Sequence, residues 1–270
     1  MRLARIAGLL YLIPTFCGPF SMMYVPSVIV VPGDAGATAD RLLSSETLFR
    51  LGLVSDSAIV LSELALTAAL YVLLKRVSRP IALTAAFARL AMAVVQAVNL
   101  LPALAALHLL RAAPAGLEAV QVRALALSAL EVKALGVHVW EVLFALHCAL
   151  LGVLLYRSGT FPRALGVLML LASAGYGLNG VGNLLLPAGA KLFAAIVAVA
   201  AIGGEVPFVL WLLFGRDGRD LVLSRGGRRL RDVRRVVTAD GNHVRASGER
   251  DRREGGVVGL QHGRGGRASW

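Results

Sequence analysis

Apolar residues run along this chain in long blocks, with neither the period of two of a half-buried strand nor the one-faced period of a surface helix. A hydrocarbon layer of about 30 Å is crossed by about 20 such residues in helical form. Six stretches qualify, at roughly 6–31, 52–74, 81–110, 134–156, 164–186 and 192–214. Polar or turn-forming segments separate them: GDAGATADRLLSSE at 33–46, KRVSRP at 75–80, RAAPAGLE at 111–118, RSGTFPR at 157–163 and PAGAK at 187–191. The first block follows Arg2 and Arg5 as a signal peptide would. Its length, Pro14 and Pro19, and the lack of a small-x-small cleavage site make it a retained first span instead. Between the third and fourth blocks, LEAVQVRALALSALEVK at 117–133 predicts a short helix lying at the membrane surface and capping the bundle.

Composition narrows the class. A chain that is 57% hydrophobic and 16% charged is not a disordered polymer, a disulfide scaffold or a collagen-like fibre. Cys17 and Cys148 lie in apolar runs without ligand spacing and read as small buried hydrophobes. The fold class is therefore all-α: a six-span transmembrane helical bundle with a disordered basic C-terminal tail. Residues 1–215 carry 14 Lys and Arg against 9 Asp and Glu and form the six-helix domain. Residues 216–270 carry 14 against 7, with too few large apolar side chains for a core, and form an Arg/Gly-rich tail.

Six spans place both termini on one side. That side holds 21 basic residues and the other 6, or 7 against 6 without the tail, so the positive-inside rule puts the termini in the cytoplasm. Tyr71, Tyr156 and Trp211 then fall near inner ends, and Tyr24 and Trp140 near outer ends.

The informative residues are the costly ones. A charge at mid-span costs about 2.5–3.5 kcal/mol on the lenient insertion scale. Asp56 and Glu63 are seven apart, so both occupy one face of the second span, beside Ser55 and Ser62. Arg89 and Gln96 repeat that spacing on the third span, with Asn99 about 60° round the helix. Together with Glu141 and Glu205 these predict a polar centre of Glu63, Arg89, Gln96, Asn99, Glu141 and Glu205, a candidate ion or substrate site. Arg89 cannot discard its charge, so an ion pair with Glu63 or Glu205 is expected. One reading gives that pair only a role in helix register. The other notes four membrane carboxylates, Asp56, Glu63, Glu141 and Glu205, against one Arg, an excess that a proton-coupled site requires.

Two spans carry breakers, Pro14-Gly18-Pro19 in the first and Gly203-Gly204-Glu205-Val206-Pro207 in the sixth. Interrupted helices of this kind expose carbonyls to an ion or substrate in many transporters, and otherwise they are kinks. In the fifth span, residues 175–180 match GxGxxG, but no strand precedes them and they lie within a span, so a dinucleotide site does not follow. Gly175, Gly177, Gly180 and Gly182 read as close helix packing, with Asn179 and Asn183 hydrogen-bonding to a neighbouring helix. His138 shares a face with Glu141, while His147 lies on the opposite face, so the two histidines cannot hold one metal. No metal, cofactor or catalytic residue is assigned.

In the tail, RRLRDVRRVV sets Leu230, Val233 and Val237 on one face among Arg228, Arg231, Arg234 and Arg235, a pattern that attracts anionic lipid headgroups. Nucleic acid is the weaker partner, since only Trp270 offers an aromatic ring there.

The segments Arg5-IAGLLYLIP, Ser45-ETLFRLGLVSD, ALHCALLGVLLYRSGTFPRALGVL, GYGLNGVGNLLLP and Ile202-GGEVPFVLWLL, with the YRSGTFPRALG turn and the IGGEVPFVLWLL span the most specific, resemble an integral-membrane family of bacteria labelled domain of unknown function 4386. The resemblance covers about residues 4–214. It implies a six-helix inner-membrane protein and no particular activity. Pro207 departs from the family pattern, and the tail falls outside it. The expected function is a small-solute or proton-linked transporter, or an accessory subunit with a membrane-protein partner or a second copy. The alternative is a membrane-embedded enzyme acting on lipid.

Overall fold

Where no water competes, each backbone N–H must bond within its own segment, and the apolar blocks accordingly fold as helices. A computed structural model describes residues 2–215. Arg228, Arg231, Arg234 and Arg235 lie outside the described residues. The chain runs through α1 (Arg2–Gly18), a π-helical turn (Pro19–Tyr24), α2 (Val25–Ile29), α3 (Ala35–Ser44), α4 (Glu46–Leu74) and α5 (Arg79–Val98). It continues through α6 (Leu100–Arg111), α7 (Ala119–Arg157), α8 (Arg163–Leu185), a short 3₁₀ turn (Pro187–Gly189) and α9 (Ala190–Phe214), with no strand among the described residues.

Six helical stretches are long and apolar enough to cross a membrane: Arg2–Ile29, Glu46–Leu74, Arg79–Arg111, Ala119–Arg157, Arg163–Leu185 and Ala190–Phe214. Phe16, Leu61 and Val199 are 72%, 69% and 75% exposed, part of an apolar outer surface far too extensive for water and suited to acyl chains. The protein is a multi-pass membrane protein.

The spans close into a ring. α1 packs on α4, α4 on α5, α5 on α7, α7 on α8, α8 on α9, and α9 again on α1. Every span therefore has a face toward a common interior. α7 and α8 approach at a glycine pair just beyond their connecting turn. A Cβ on Gly166 would lie 2.7 Å from the Tyr156 amide nitrogen and 2.8 Å from the Gly152 carbonyl, a separation no side chain tolerates. The turn itself needs Gly159 at φ 64°, and the Ser158 hydroxyl accepts from the Phe161 amide at 3.0 Å.

Several expectations change. The sixth span is not interrupted, since Pro207 sits inside continuous helix; in the first, Pro14 lies within α1, but at Pro19 the α-helix gives way to the π-helical turn leading into α2. Neighbouring helices supply the packing that lets a membrane helix keep such prolines. The segment at 117–133 is not a separate helix lying at the surface. It is the first half of α7, 39 residues long, started by a capping box in which Glu118 and Gln121 satisfy each other's backbone N–H groups. Most of the polar stretch 33–46 is helical as α3, capped by Asp34, whose carboxylate accepts from the Ala37 amide at 2.8 Å. The third span divides at Asn99 because Pro102 has no N–H for the Val98 carbonyl, so α5 ends and α6 begins.

Candidate functional site

At the centre of the ring, each span contributes one polar side chain to a single cluster: Tyr11 from α1, Glu63 from α4, Arg89 from α5, His147 from α7, Tyr176 from α8 and Glu205 from α9. Arg89 is fully buried, and its Nε lies 2.5 Å from Glu63 Oε2. Its Nη1 donates to His147 Nε2 at 2.9 Å, while His147 Nδ1 contacts the Ala85 carbonyl at 2.8 Å. Since a guanidinium only donates and a carbonyl only accepts, those partners assign the proton to Nδ1 and leave the imidazole neutral. The guanidinium carbon also stands 5.0 Å from the Tyr11 ring centre and 5.9 Å from that of Phe144. Glu205 is not the ion-pair partner. It accepts hydrogen bonds from the hydroxyls of Tyr176 and, at 3.4 Å, Tyr11.

This cluster is closely packed. The void beside Arg89 and His147 is about 10 Å³, at the lower limit for one water and too small for a solute.

One rung along the same pair of helices the setting differs. Gln96 Nε2 donates to Asp56 Oδ1 at 3.1 Å, so the seven-residue spacings on α4 and α5 form two facing rungs, Glu63 with Arg89 and Asp56 with Gln96. Lys133, on the first half of α7, reaches in with its Nζ 2.9 Å from Asp56 Oδ2. Asp56 is fully buried, yet its charge is matched. Asn99 Nδ2 donates to the Lys133 carbonyl at 2.8 Å, tying the α5–α6 break to α7. Beside this rung opens a cavity of about 190 Å³, lined by Ser21, Gln96, Asn99 and Lys133 and walled mostly by apolar groups including Val25, Ile29, Phe49 and Val137.

Glu141 belongs to neither rung. Oε2 lies 3.0 Å from His138 Nδ1, and Oε1 accepts from Asn179 Nδ2 at 2.6 Å. Asn179 thus bonds across to α7, as expected, but Asn183 does not reach a neighbouring helix. Its amide turns back to the Asn179 carbonyl and side chain on its own helix, at 2.8 and 3.0 Å. The glycines of α8 divide between two partners. A Cβ on Gly180 would meet the His138 carbonyl of α7 at 2.8 Å, and one on Gly182 would meet Phe193 of α9 at 2.8 Å. Gly175 faces Ala200 of α9, and Gly177 has a looser neighbour in Ala145.

Of the six residues expected at a polar centre, Glu63, Arg89 and Glu205 share the central cluster, Gln96 and Asn99 line the cavity, and Glu141 stands apart with His138. Tyr11, Tyr176, His147 and Lys133 are polar partners of these residues that the spacing argument left out. Among the described residues, no three or more His, Cys, Asp or Glu groups gather in a metal-binding arrangement. The two ends of the bundle differ in charge. Arg2, Arg5, Lys75, Arg76, Arg79, Arg157 and Arg163 share the terminus end with no acidic residue among the described ones, while the α3 end mixes both signs, with Glu46 paired to Arg50 and Arg111 and Asp40 to Arg123.

The family described as Domain of unknown function (DUF4386) matches residues 6–215, a range that takes in nearly all of the first span and the other five whole. A protein described as uncharacterized from Archaeoglobus fulgidus is 38% identical over 80 residues, 30% of this chain and 44% of that protein. The matched stretch thus spans less than half the length of this curated relative. No solved structure matches.

Proposed function

We propose, from the premise that the chain belongs to the DUF4386 family, that it is a bacterial inner-membrane protein that binds and carries a small solute. The observation that carries this reading is the cavity of about 190 Å³ beside the Asp56–Gln96 rung, predominantly apolar with a few convergent polar groups, the usual form of a small-molecule site. The central cluster serves this site as its rigid floor, fixing α4 and α5 in register one rung away. Glu205, whose hydrogen-bond partners are two tyrosine hydroxyls, is the carboxylate a proton-linked cycle would use. The terminus end faces the cytoplasm, on the argument that its seven basic and no acidic residues among those described follow the positive-inside rule. Anionic lipid headgroups are its natural surroundings, with Arg228, Arg231, Arg234 and Arg235 adding to the attraction.

A thermal-shift panel of small alcohols, amides, amino acids, carboxylates and amines on the purified protein tests the reading. At least one class should raise Tm in the native protein and not in Ala134→Trp, which fills the cavity from α7. A panel with no shift, or a shift that survives the filled cavity, contradicts it. A second reading, an enzyme acting on lipid, is favoured only by the His138–Glu141 pair, in which His138 is about one quarter exposed (side chain 23%). His138→Ala would leave solute binding intact under the first reading.

A further inference from the structure

The cavity beside the Asp56–Gln96 rung contains a specific polar demand. Gln96 is 3% exposed, and its amide orientation is fixed because only Nε2 can face the Asp56 carboxylate. Its Oε1 is therefore an acceptor, and it has no hydrogen-bond partner. Ser21, 1% exposed on the π-helical turn, likewise has an unpartnered hydroxyl. Both residues line the cavity. A buried acceptor left unpaired keeps its full desolvation penalty, so the pocket is most stable with a donor in it.

Charge limits what that donor is. Lys133, which lines the cavity, is already neutralised by Asp56 at 2.9 Å. Glu131 also lines the cavity but is solvent-exposed on α7. An ion brought into the apolar interior without a counter-charge loses its hydration with nothing to replace it. An anion would also set a second acceptor against Gln96 Oε1. Size limits the rest. A cavity of about 150 Å³ takes benzene, so about 190 Å³ takes a body of roughly six to ten non-hydrogen atoms.

We propose that this cavity binds an uncharged, mostly hydrocarbon molecule of that size through one hydrogen-bond donor, a hydroxyl or amide N–H, presented to Gln96 Oε1 and Ser21 Oγ. The proposal rests on the reading of the cavity as a solute site and names the solute's chemical class.

Fluorine NMR on the full chain in lipid nanodiscs tests it with four probes of one shape: para-fluorobenzyl alcohol, para-fluorotoluene, para-fluorobenzoate and para-fluorobenzylamine. The alcohol should bind at least about tenfold more tightly than the other three, consistent with one unpaired buried group. Gln96→Leu should remove that preference, so that the alcohol binds no more tightly than fluorotoluene. Ser21→Ala, on a different helix, should reduce it by a smaller factor and serves if Gln96→Leu fails to fold. If the benzylamine or benzoate binds as well as the alcohol, or the alcohol's preference survives both substitutions, the chemical class is wrong while the cavity stands. If none of the four binds, or all bind equally to Ala134→Trp, the solute-site reading falls with it.

Discussion

Arg89 is the most demanding side chain in the interior, since it stays charged and lies where no water reaches. Glu63, the neutral imidazole of His147 and the faces of Tyr11 and Phe144 answer that demand from three different helices. Removing one partner is predicted to be worse than removing both. Glu63→Leu or Arg89→Met alone should destabilise the purified protein by about 3–5 kcal/mol, while the double variant should recover most of that loss, as read by unfolding in detergent. Equal losses in all three variants would mean that the pair contributes through packing alone. Much of this was legible in the sequence. A helix places residues seven apart on one face, so Asp56, Glu63, Arg89 and Gln96 had to form stripes on adjacent antiparallel helices. What the spacing could not supply was the third partner. Lys133 read as the end of a surface helix, and nothing in the spacing singled out Tyr11 or Tyr176, because their contacts depend on how non-adjacent helices rotate. His147 had one usable signal, its position on the face of α7 opposite His138, which turned it toward Ala85 and Arg89.

At the scale of elements, close helix approach is carried by glycines whose absent side chains are occupied by neighbouring backbone. Gly166→Ala should lower Tm by several degrees, because its Cβ would fall 2.7 Å from a backbone nitrogen of α7. Gly203→Ala should be neutral or raise Tm slightly, since nothing lies within 4 Å of that position and alanine is favoured over glycine in a helix by about 1 kcal/mol. Thermal melts of the two variants beside the native protein check both expectations. Span existence was legible from the apolar blocks because the bilayer sets their length. Span ends were not: the charges in 117–133 lie on a helix that simply continues into the fourth span, and of those in 33–46 Asp34 caps α3, Asp40 and Arg41 lie on it, and Glu46 opens α4. The break at Asn99 did have a local cause, the proline three residues later.

For the whole molecule, the ring of six spans divides its interior into two parts with different chemistry. The central cluster joins every span and is closed. The cavity one rung along α4 and α5 is open enough for a solute and is lined by two residues that each carry an unpaired polar atom. Composition made the membrane assignment plain, but the cavity was invisible to the sequence because it exists only where α2, α4, α5 and the first half of α7 fail to meet. The most direct test uses a small neutral thiol reagent, methyl methanethiosulfonate, on the protein in membranes, in a Cys17→Ser background carrying Val137→Cys, at a half-buried position on the cavity wall. Native Cys148, fully buried in the core around the central cluster, is the internal comparison. Mass spectrometry should find the cysteine at position 137 modified rapidly and Cys148 unmodified until the protein is denatured. Modification of Cys148 at a similar rate, or an inert cysteine at position 137, would contradict the division of the interior into a closed centre and an accessible cavity.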